Sequence, residues 1–332
     1  HALETDAKLS KFELNINVWI QLWTAISKCD VLCQVVDSRD PLSYLSKDLI
    51  EMSYESGKKH LILINKSDLL NQKQIKNWCE YFDSKNYLYI FWSNKNKNFN
   101  SITFFQKLNI AIPNLQQRIK VAFVGYPNVG KSTTINSLCG NRAVSESSTP
   151  GKTKIFQSII ISENLEVIDT PGLLIPKFYS SEAEMTLMGL FPIDCLTEPF
   201  EAVKIIASRI PLHYLYDYLN VSQDQYRIAV DNLIHDYGKK LKFFLENKKI
   251  DQNKVCKRIL KMYVDAKILY CSPPPGINSK EFNGYEAISP KSISKVDMLM
   301  DLRKVKRTTN NSKSALANNF KGTKGIQNSF KR

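Results

Sequence analysis

The chain has 332 residues, of which 43% are hydrophobic, and carries a formal net charge of +14. This apolar content suffices for buried cores and excludes a fully disordered chain, and the length predicts about two domains. The seven cysteines form no CxxC pair and no zinc-ligand spacing, which favours reduced thiols in a cytosolic or nuclear protein. No apolar run reaches the roughly 20 residues of a membrane helix, so we expect neither a transmembrane segment nor secretion.

Six short apolar runs rich in β-branched residues predict strands, and helix-like segments separate most of them. The runs are residues 31–36, 60–65, 87–91, 120–125, 155–161 and 165–169. Continuous apolar strands that alternate with helices are typical of a mostly parallel sheet with helices on both faces. The first part of the chain is therefore predicted to be an α/β domain.

The pattern changes after about Thr197, where apolar residues recur at helical spacing in segments 198–210, 226–238 and 253–269. A helical domain is therefore predicted to follow the sheet domain. The predicted organisation is a helical lead-in (1–28), the sheet domain (29–196), a helical domain (197–276) and a basic, largely disordered tail (277–332).

The basic charge favours polyanionic partners, with nucleic acid first and an anionic membrane surface second. Residues 302–332 contain nine Lys or Arg and no Asp or Glu, mixed with Asn, Ser and Gly. Such a composition cannot bury enough apolar surface to fold alone, so we expect this tail to order on RNA. The alternative is a solvated basic face without a partner.

The stretch GYPNVGKSTTIN, residues 125–136, matches the consensus GxxxxGK[ST] and lies between a predicted strand and a predicted helix. In this phosphate loop, backbone amides and the helix amino terminus hold the phosphates. Lys131 is predicted to reach the β- and γ-phosphates, and Ser132 to ligate magnesium. The nucleotide-binding residues predicted here are Asn128, Val129, Gly130, Lys131, Ser132 and Thr133.

A second motif, DTPG, begins at Asp169, the last residue of a predicted strand. Asp169 is predicted to hold magnesium through water, and the amide of Gly172 to contact the γ-phosphate. Thr153 in PGKTK is the first candidate for the switch threonine that binds magnesium, with Thr149 as the alternative. The residues assigned to catalysis are Lys131, Thr153 and Gly172.

The predicted base-reading motif, NKSD, stands earlier in the chain, from Asn65 to Asp68. Asp68 can accept two hydrogen bonds from guanine N1–H and N2–H, which adenine cannot offer, and Lys66 is expected to pack its stem along the base. An isolated NKxD is as often a surface turn, but the phosphate loop in the same chain favours guanine. Ser93 in FWSN is expected to contact guanine O6 through its backbone, with Asn94 where GTPases usually carry alanine.

The guanine motif precedes the phosphate loop, which precedes the magnesium aspartate, and this order indicates a circularly permuted P-loop GTPase domain. Permutation is tolerated because domain termini usually lie close together at the surface. The predicted fold class is therefore α/β: a permuted GTPase domain, a helical C-terminal domain and a basic disordered tail. The switch segment after DTPG then runs directly into the helical domain, which predicts coupling between them.

Together with WIQLW, VVDSRDPL, SSTPGKTKIFQ and YCSPPPG, these motifs resemble those of the circularly permuted, YlqF-type ribosome-assembly GTPases. FWS and PPPG are most similar to the eukaryotic branch that acts late in large-subunit maturation. Departures are DSR in place of Asp-Ala-Arg and a short connection between Asn94 and Lys120. The resemblance covers nearly all of the chain before the tail.

The resemblance implies GTP hydrolysis, with GTP or GDP and magnesium as ligands, on the large ribosomal subunit with its rRNA and proteins. It also implies release of a nuclear-export adaptor in the cytoplasm, and we expect a monomer. A nuclear or organellar member of the same family is the alternative.

Two residues bear on the mechanism. Leu173 occupies the position of the water-orienting glutamine of Ras-type enzymes and has no hydrogen-bonding group, which predicts slow hydrolysis unless a partner supplies that group. Asn128 resembles the asparagine that ligates potassium in cation-dependent GTPases, and the alternative is a turn residue that caps local backbone. The rival function is an RNA-binding placeholder that uses GTP to hold a shape and hydrolyses it negligibly.

Overall fold

The computed structural model of the chain describes residues 15–95, 101–112, 118–140, 157–172, 181–222 and 229–285. Within them, the strands are β1 Val31–Asp37, β2 Lys59–Asn65, β3 Tyr89–Phe91, β4 Ile119–Val124, β5 Gln157–Ser162 and β6 Leu165–Asp169. They form one sheet in the order β3-β2-β1-β4-β6-β5. All neighbouring pairs are parallel except β5 with β6, so the predicted mostly parallel sheet is confirmed.

Helices precede and connect these strands. Those of the sheet region are α1 Ile16–Lys28, α2 Pro41–Tyr44, α3 Lys47–Glu55, α4 Gln72–Ser84, α5 Ser101–Ala111 and α6 Lys131–Cys139. The later ones are α7 Glu182–Leu187, α8 Pro199–Arg209, α9 Leu212–Leu219, α10 Val230–Leu241, α11 Gln252–Val264 and α12 Ser279–Asn283. Short 3₁₀ turns cover Ser67–Leu69 and Ile193–Cys195.

Strand β1 lies at the centre of the sheet and pairs in parallel with both β2 and β4. All seven of its residues are buried, as expected for a strand covered on both faces. The chain proceeds outward from β1 through β2 to β3 and then returns to β4 on the other side of β1. In such sheets ligands bind at the carboxyl ends of the strands where the order reverses, and here that point lies between β1 and β4.

The helices after the sheet pack on one another, with α8 and α10 both against α11. Their apolar faces carry fully buried residues, among them Val203, Ile206, Leu233 and Ile259. This confirms the helices predicted in 198–210 and 253–269, and the one predicted in 226–238 from Val230 onward, since residues 226–228 lie outside the described ranges. Helix α11 ends at Val264, earlier than the predicted periodicity, because Ala266 adopts a left-handed conformation with φ +57°.

The segment predicted as a tail begins with ordered structure. Helix α12 starts after Asn278, whose side chain accepts hydrogen bonds from the amides of Lys280 and Glu281. Phe282 is buried in the main core, and its carbonyl accepts a hydrogen bond of 3.0 Å from the Gln74 side chain. This apolar anchor extends the ordered part past the predicted boundary at 277, and residues 286–332 lie outside the described ranges.

All seven cysteines are free thiols in the structure. In the described residues no cluster of His, Cys, Asp and Glu could hold a metal ion by itself. No helix among the same residues combines the length and apolarity that crossing a bilayer requires.

Candidate nucleotide-binding site

The predicted phosphate loop connects β4 to α6, and its backbone conformation requires glycine at Gly130. Gly130 caps α6 with φ +95°, and a Cβ atom there would lie 2.3 Å from Nδ2 of Asn65. The same Nδ2 donates a 2.8 Å hydrogen bond to the carbonyl of Val129. The first residue of NKSD therefore holds the phosphate loop in place.

Lys131, the predicted phosphate-contacting lysine, is buried at the start of α6. Its ammonium donates to the carbonyls of Gly125 (2.8 Å) and Tyr126 (3.0 Å). Burial lowers the pKa of Lys131 to about 8, although the charge of Asp169 opposes this shift. A Cβ atom on Gly172 would lie 3.4 Å from the Lys131 ammonium nitrogen, so the DTPG glycine lies beside this lysine, and the phosphate contacts predicted for both residues stay predictions.

The NKSD motif turns the chain at the end of β2. Lys66 adopts a left-handed conformation, and its ammonium donates to Oδ2 of Asp37 (2.8 Å) and to the carbonyl of Asn128 (3.0 Å). Asp68 accepts a 2.7 Å hydrogen bond from the Ser93 hydroxyl and pairs with Lys95 at 2.9 Å. Burial opposes ionisation of Asp68, but these partners lower its pKa below the usual value.

A cavity of about 320 Å³ unites the predicted guanine reader with the phosphate loop. Asn65, Lys66 and Asp68 line it from the NKSD side, and Gly130 and the exposed Thr133 line it from the loop side. Residues 264–266, at the carboxyl end of α11, form a further wall. The contribution of the helical region to this cavity was not predicted from the sequence.

Asn94, which departs from the usual alanine, has a structural role in the site. The side-chain Nδ2 of Asn94 donates to the Thr134 hydroxyl (3.1 Å) and lies 3.4 Å from Oδ1 of Asn65. Its side-chain Oδ1 accepts a hydrogen bond from Trp92 Nε1 (2.8 Å). The asparagine that stands in place of alanine thus connects the segment after β3 to α6 and to NKSD. Ser93, next to it, is buried and meets Asp68 through its side chain, and its predicted backbone contact with O6 stays a prediction.

The DSR sequence, which begins at the last residue of β1, forms an ion-pair network around the buried Asp37. Asp37 pairs with Arg39 and with Lys66, each at 2.8 Å. Burial disfavours the charged form of Asp37, but the ammonium of Lys66 and the guanidinium of Arg39 hold its pKa well below the usual range. Arg39 also donates to the carbonyls of Tyr263 (3.3 Å) and Val264 (3.1 Å), so it binds the last turn of α11. The sequence pattern that indicates this network is an aspartate at the end of a fully buried strand, followed two residues later by an arginine.

Asp169 ends β6 beside β4 and is almost fully buried. Within the described residues, neither of its carboxylate oxygens has a hydrogen-bond partner. Burial raises the pKa of Asp169 to about 6, although nearby Lys131 opposes the shift. A buried carboxylate with unsatisfied oxygens fits the predicted role of holding a hydrated cation, together with the hydroxyl of the half-buried Ser132 at the second position of α6.

We expect the Asp169→Asn variant to lose a pH dependence of stability that the wild-type protein shows. The carboxyl has a higher pKa in the folded state, about 6, than its ordinary value of 3.8. The folded state therefore binds more protons than the unfolded state between these values, and stability falls as the pH rises through them. Urea unfolding in EDTA at about pH 5 and about pH 7.5 should show a wild-type loss of about 1–1.5 kcal/mol from this group.

The control is Asp217→Asn, which removes an exposed carboxylate from α9 and should keep the wild-type pH dependence. If wild type and Asp169→Asn show identical pH profiles of stability, burial of the charged Asp169 carboxylate does not lower the stability of the folded state.

Asn128 is exposed at the turn of the loop, with φ +62°. Its side-chain amide donates a 2.7 Å hydrogen bond to the carbonyl of Gly189, just after α7. The left-handed backbone agrees with the turn alternative, but the side chain caps a carbonyl 61 positions away rather than local backbone. The predicted potassium role stays a prediction. Thr153, Thr149 and Leu173 lie outside the described residues.

Family models identify the same class of domain. One described as 50S ribosome-binding GTPase matches residues 120–240, and one described as RsgA GTPase matches residues 21–178. The structure of GNP-bound YlqF from T. maritima superposes with a TM-score of 0.54 at 22% identity, covering 76% of this chain and 94% of that one. The fold and the site thus define a circularly permuted P-loop GTPase domain.

Several similar sequences carry related names. GTPase LSG1-1 of Arabidopsis thaliana is 34% identical over 85% of this chain and 63% of its own length. Large subunit GTPase 1 of Saccharomyces cerevisiae is 33% identical over 90% of this chain and 56% of its own, and the Homo sapiens homolog is 27% identical over 82% and 62%. The homologues of this chain are thus Large subunit GTPase 1 proteins, and the chain spans less than two thirds of the length of these relatives.

Proposed function

We propose that this chain hydrolyses GTP to GDP and phosphate on the large ribosomal subunit during its maturation. The observation that carries the proposal is the shared cavity, in which Asp68 faces the same space as Gly130 of the phosphate loop. The 2.8 Å hydrogen bond from Asn65 to Val129 joins the two halves directly. A base reader and a phosphate cradle held in one rigid arrangement fit a guanosine triphosphate.

The residues of the site have separate roles in this proposal. Asp68 accepts the guanine N–H groups, and the loop amides with the amino terminus of α6 hold the phosphates. Lys131 neutralises charge on the β- and γ-phosphates, and the Gly172 amide orients the γ-phosphate. Magnesium, when bound, would offset the charge that develops on the phosphate oxygens. Ser132 and Asp169 would hold it, with Thr153 as a third proposed ligand.

Hydrolysis by the isolated chain should be slow. Leu173, which follows DTPG, carries no group that could orient the attacking water. A component of the ribosomal subunit is the proposed source of the missing group, so the subunit would stimulate turnover.

Two observations support the large ribosomal subunit as the proposed partner: the names of the relatives and the net charge of the chain. The matching family model and the relatives carry names that refer to the 50S ribosome and to the large subunit. The net charge of +14 suits a partner made largely of RNA. As finer parts of the proposal, hydrolysis would accompany release of a nuclear-export adaptor in the cytoplasm, and the protein would act as a monomer.

Single-turnover hydrolysis of GTP, with and without purified large subunits, tests this function. We expect slow hydrolysis alone and a clear increase with subunits. Running the reactions in potassium and in sodium tests the role proposed for Asn128, since a potassium requirement that Asn128→Ala abolishes would support it. Absence of stimulation in both salts would favour the RNA-binding placeholder.

A further inference from the structure

A second cavity lies beside the phosphate loop, with a volume of about 480 Å³. Asn128 and Gly189, which share a 2.7 Å hydrogen bond, form part of its wall. The opposite wall is α11, which contributes four cationic side chains: Lys254, Lys257, Arg258 and Lys261. We refer to these four residues as the α11 basic row.

The α11 basic row is a consequence of helical periodicity. Its members stand at positions i, i+3, i+4 and i+7, which share one face of a helix. From first to last they extend over about 10 Å along the helix axis. The opposite face of α11 is buried through Val255, Ile259 and Leu260, so packing fixes the direction in which the row points.

The row is positioned to meet an external ligand. Lys254, Arg258 and Lys261 are exposed, whereas Lys257 is half-buried and donates a 2.9 Å hydrogen bond to the carbonyl of Asp194. The carboxylates that line this cavity belong to Asp194 and Asp265, so four cations face two anions. The cavity is therefore suited to an anionic occupant.

Aromatic side chains in the lining indicate which anion fits. Phe191 and Phe243 both line the cavity and are half-buried. The Lys254 ammonium lies 4.6 Å from the centroid of the Phe243 ring. Cations that follow a backbone, together with aromatic side chains in the lining, are typical of RNA-binding surfaces, whereas an acidic peptide would require only the charge.

We propose that the α11 basic row binds the phosphate backbone of RNA in the cleft beside the phosphate loop. The inference rests on the proposed ribosomal function and adds the contact surface. The same helix ends at residues 264–266 in the guanine cavity, where Arg39 holds its last carbonyls. RNA on this row would thus lie against an element that also borders the nucleotide site.

The test is binding of a labelled RNA hairpin to the full chain, measured by fluorescence anisotropy over a range of potassium chloride concentrations. The triple variant Lys254→Gln/Arg258→Gln/Lys261→Gln removes the exposed members of the row and keeps Lys257, which supports Asp194. Loss of three phosphate contacts should reduce the slope of log affinity against log salt by about 2 and weaken binding at least tenfold at low salt. Intrinsic GTP turnover and thermal stability should stay at wild-type values.

The matched control is Lys47→Gln/Lys76→Gln/Lys85→Gln, which removes the same charge from exposed positions of α3 and α4 and just after α4. It should keep most of the affinity and the slope. Wild-type affinity and slope in the α11 variant would overturn the inference, even if subunits still stimulate hydrolysis. Loss of subunit binding with unchanged hairpin binding would also overturn it and identify an acidic protein surface as the occupant.

The outcome for the proposed function is separate. If subunits fail to stimulate hydrolysis by the wild-type protein while hairpin binding depends on the α11 row, the proposed function fails and the RNA surface stands.

Discussion

Asp68→Asn is expected to lower the affinity for GTP at least tenfold and to raise the affinity for xanthosine triphosphate. The Asp68 carboxylate would accept two guanine N–H bonds, and hydrogen bonds to a charged group contribute about 1.5–3 kcal/mol each. Every 1.4 kcal/mol or so changes a dissociation constant tenfold. An asparagine amide can instead accept from xanthine N1–H and donate to its 2-oxo group.

Calorimetric titration with GTP and with xanthosine triphosphate measures both changes. Asp217→Asn serves as the control, because Asp217 is exposed on α9 and does not line the guanine cavity. Unfolding curves must show that Asp68→Asn is folded, since Asp68 also binds Ser93 and Lys95. An unchanged preference for GTP in a folded variant would refute the assignment of Asp68 as the guanine reader.

Asp37→Asn is expected to lower the free energy of unfolding by about 3–5 kcal/mol at neutral pH. The change leaves the half-buried guanidinium of Arg39 without its counter-charge, and it removes the partner that positions Lys66. Because the pKa of Asp37 is depressed in the folded state, its contribution is present above the ordinary carboxyl pKa of 3.8 and is lost as the pH falls below it. Urea unfolding should therefore show the difference between variant and wild type shrinking in acid.

A double-mutant cycle with Arg39→Gln separates the ion pair from simple loss of packing. Asp37→Asn/Arg39→Gln should cost clearly less than the sum of the two single changes, since the double variant leaves no uncompensated charge between them. Additive losses, or a loss below about 1 kcal/mol for Asp37→Asn, would mean that the network contributes little to stability.

These two predictions concern neighbouring parts of one arrangement. Lys66 contacts Asp37 on one side and the carbonyl of Asn128 on the other. Arg39 extends the same network to the carboxyl end of α11, which borders the guanine cavity. The NKSD motif, the phosphate loop and the helical region are thus joined by direct contacts. The coupling predicted from the permuted order of the motifs runs through the segment after DTPG, of which residues 173–180 lie outside the described ranges, and it stays a prediction.

The sequence by itself determined the strands, most of the later helices and the residues of the motifs. Each of these is local: continuous apolar runs and helical periodicity are properties of residues that are close together in the sequence. A phosphate loop is likewise one continuous segment whose own amides hold the ligand. For the same reason Gly130, Lys131, Asp68 and Asp169 could be assigned roles without knowledge of the fold.

Only the tertiary structure decided how these segments meet. The hydrogen bond from Asn65 to Val129 joins residues 64 positions apart, and that from Arg39 to Val264 joins residues 225 positions apart. In the sequence, Asn94 is only a departure from a motif, and its contact with Thr134 is visible only in the fold. No local sequence pattern indicates that the end of α11 forms a wall of the cavity beside NKSD. Such contacts depend on how strands and helices pack, and spacing along the chain carries no information about that packing.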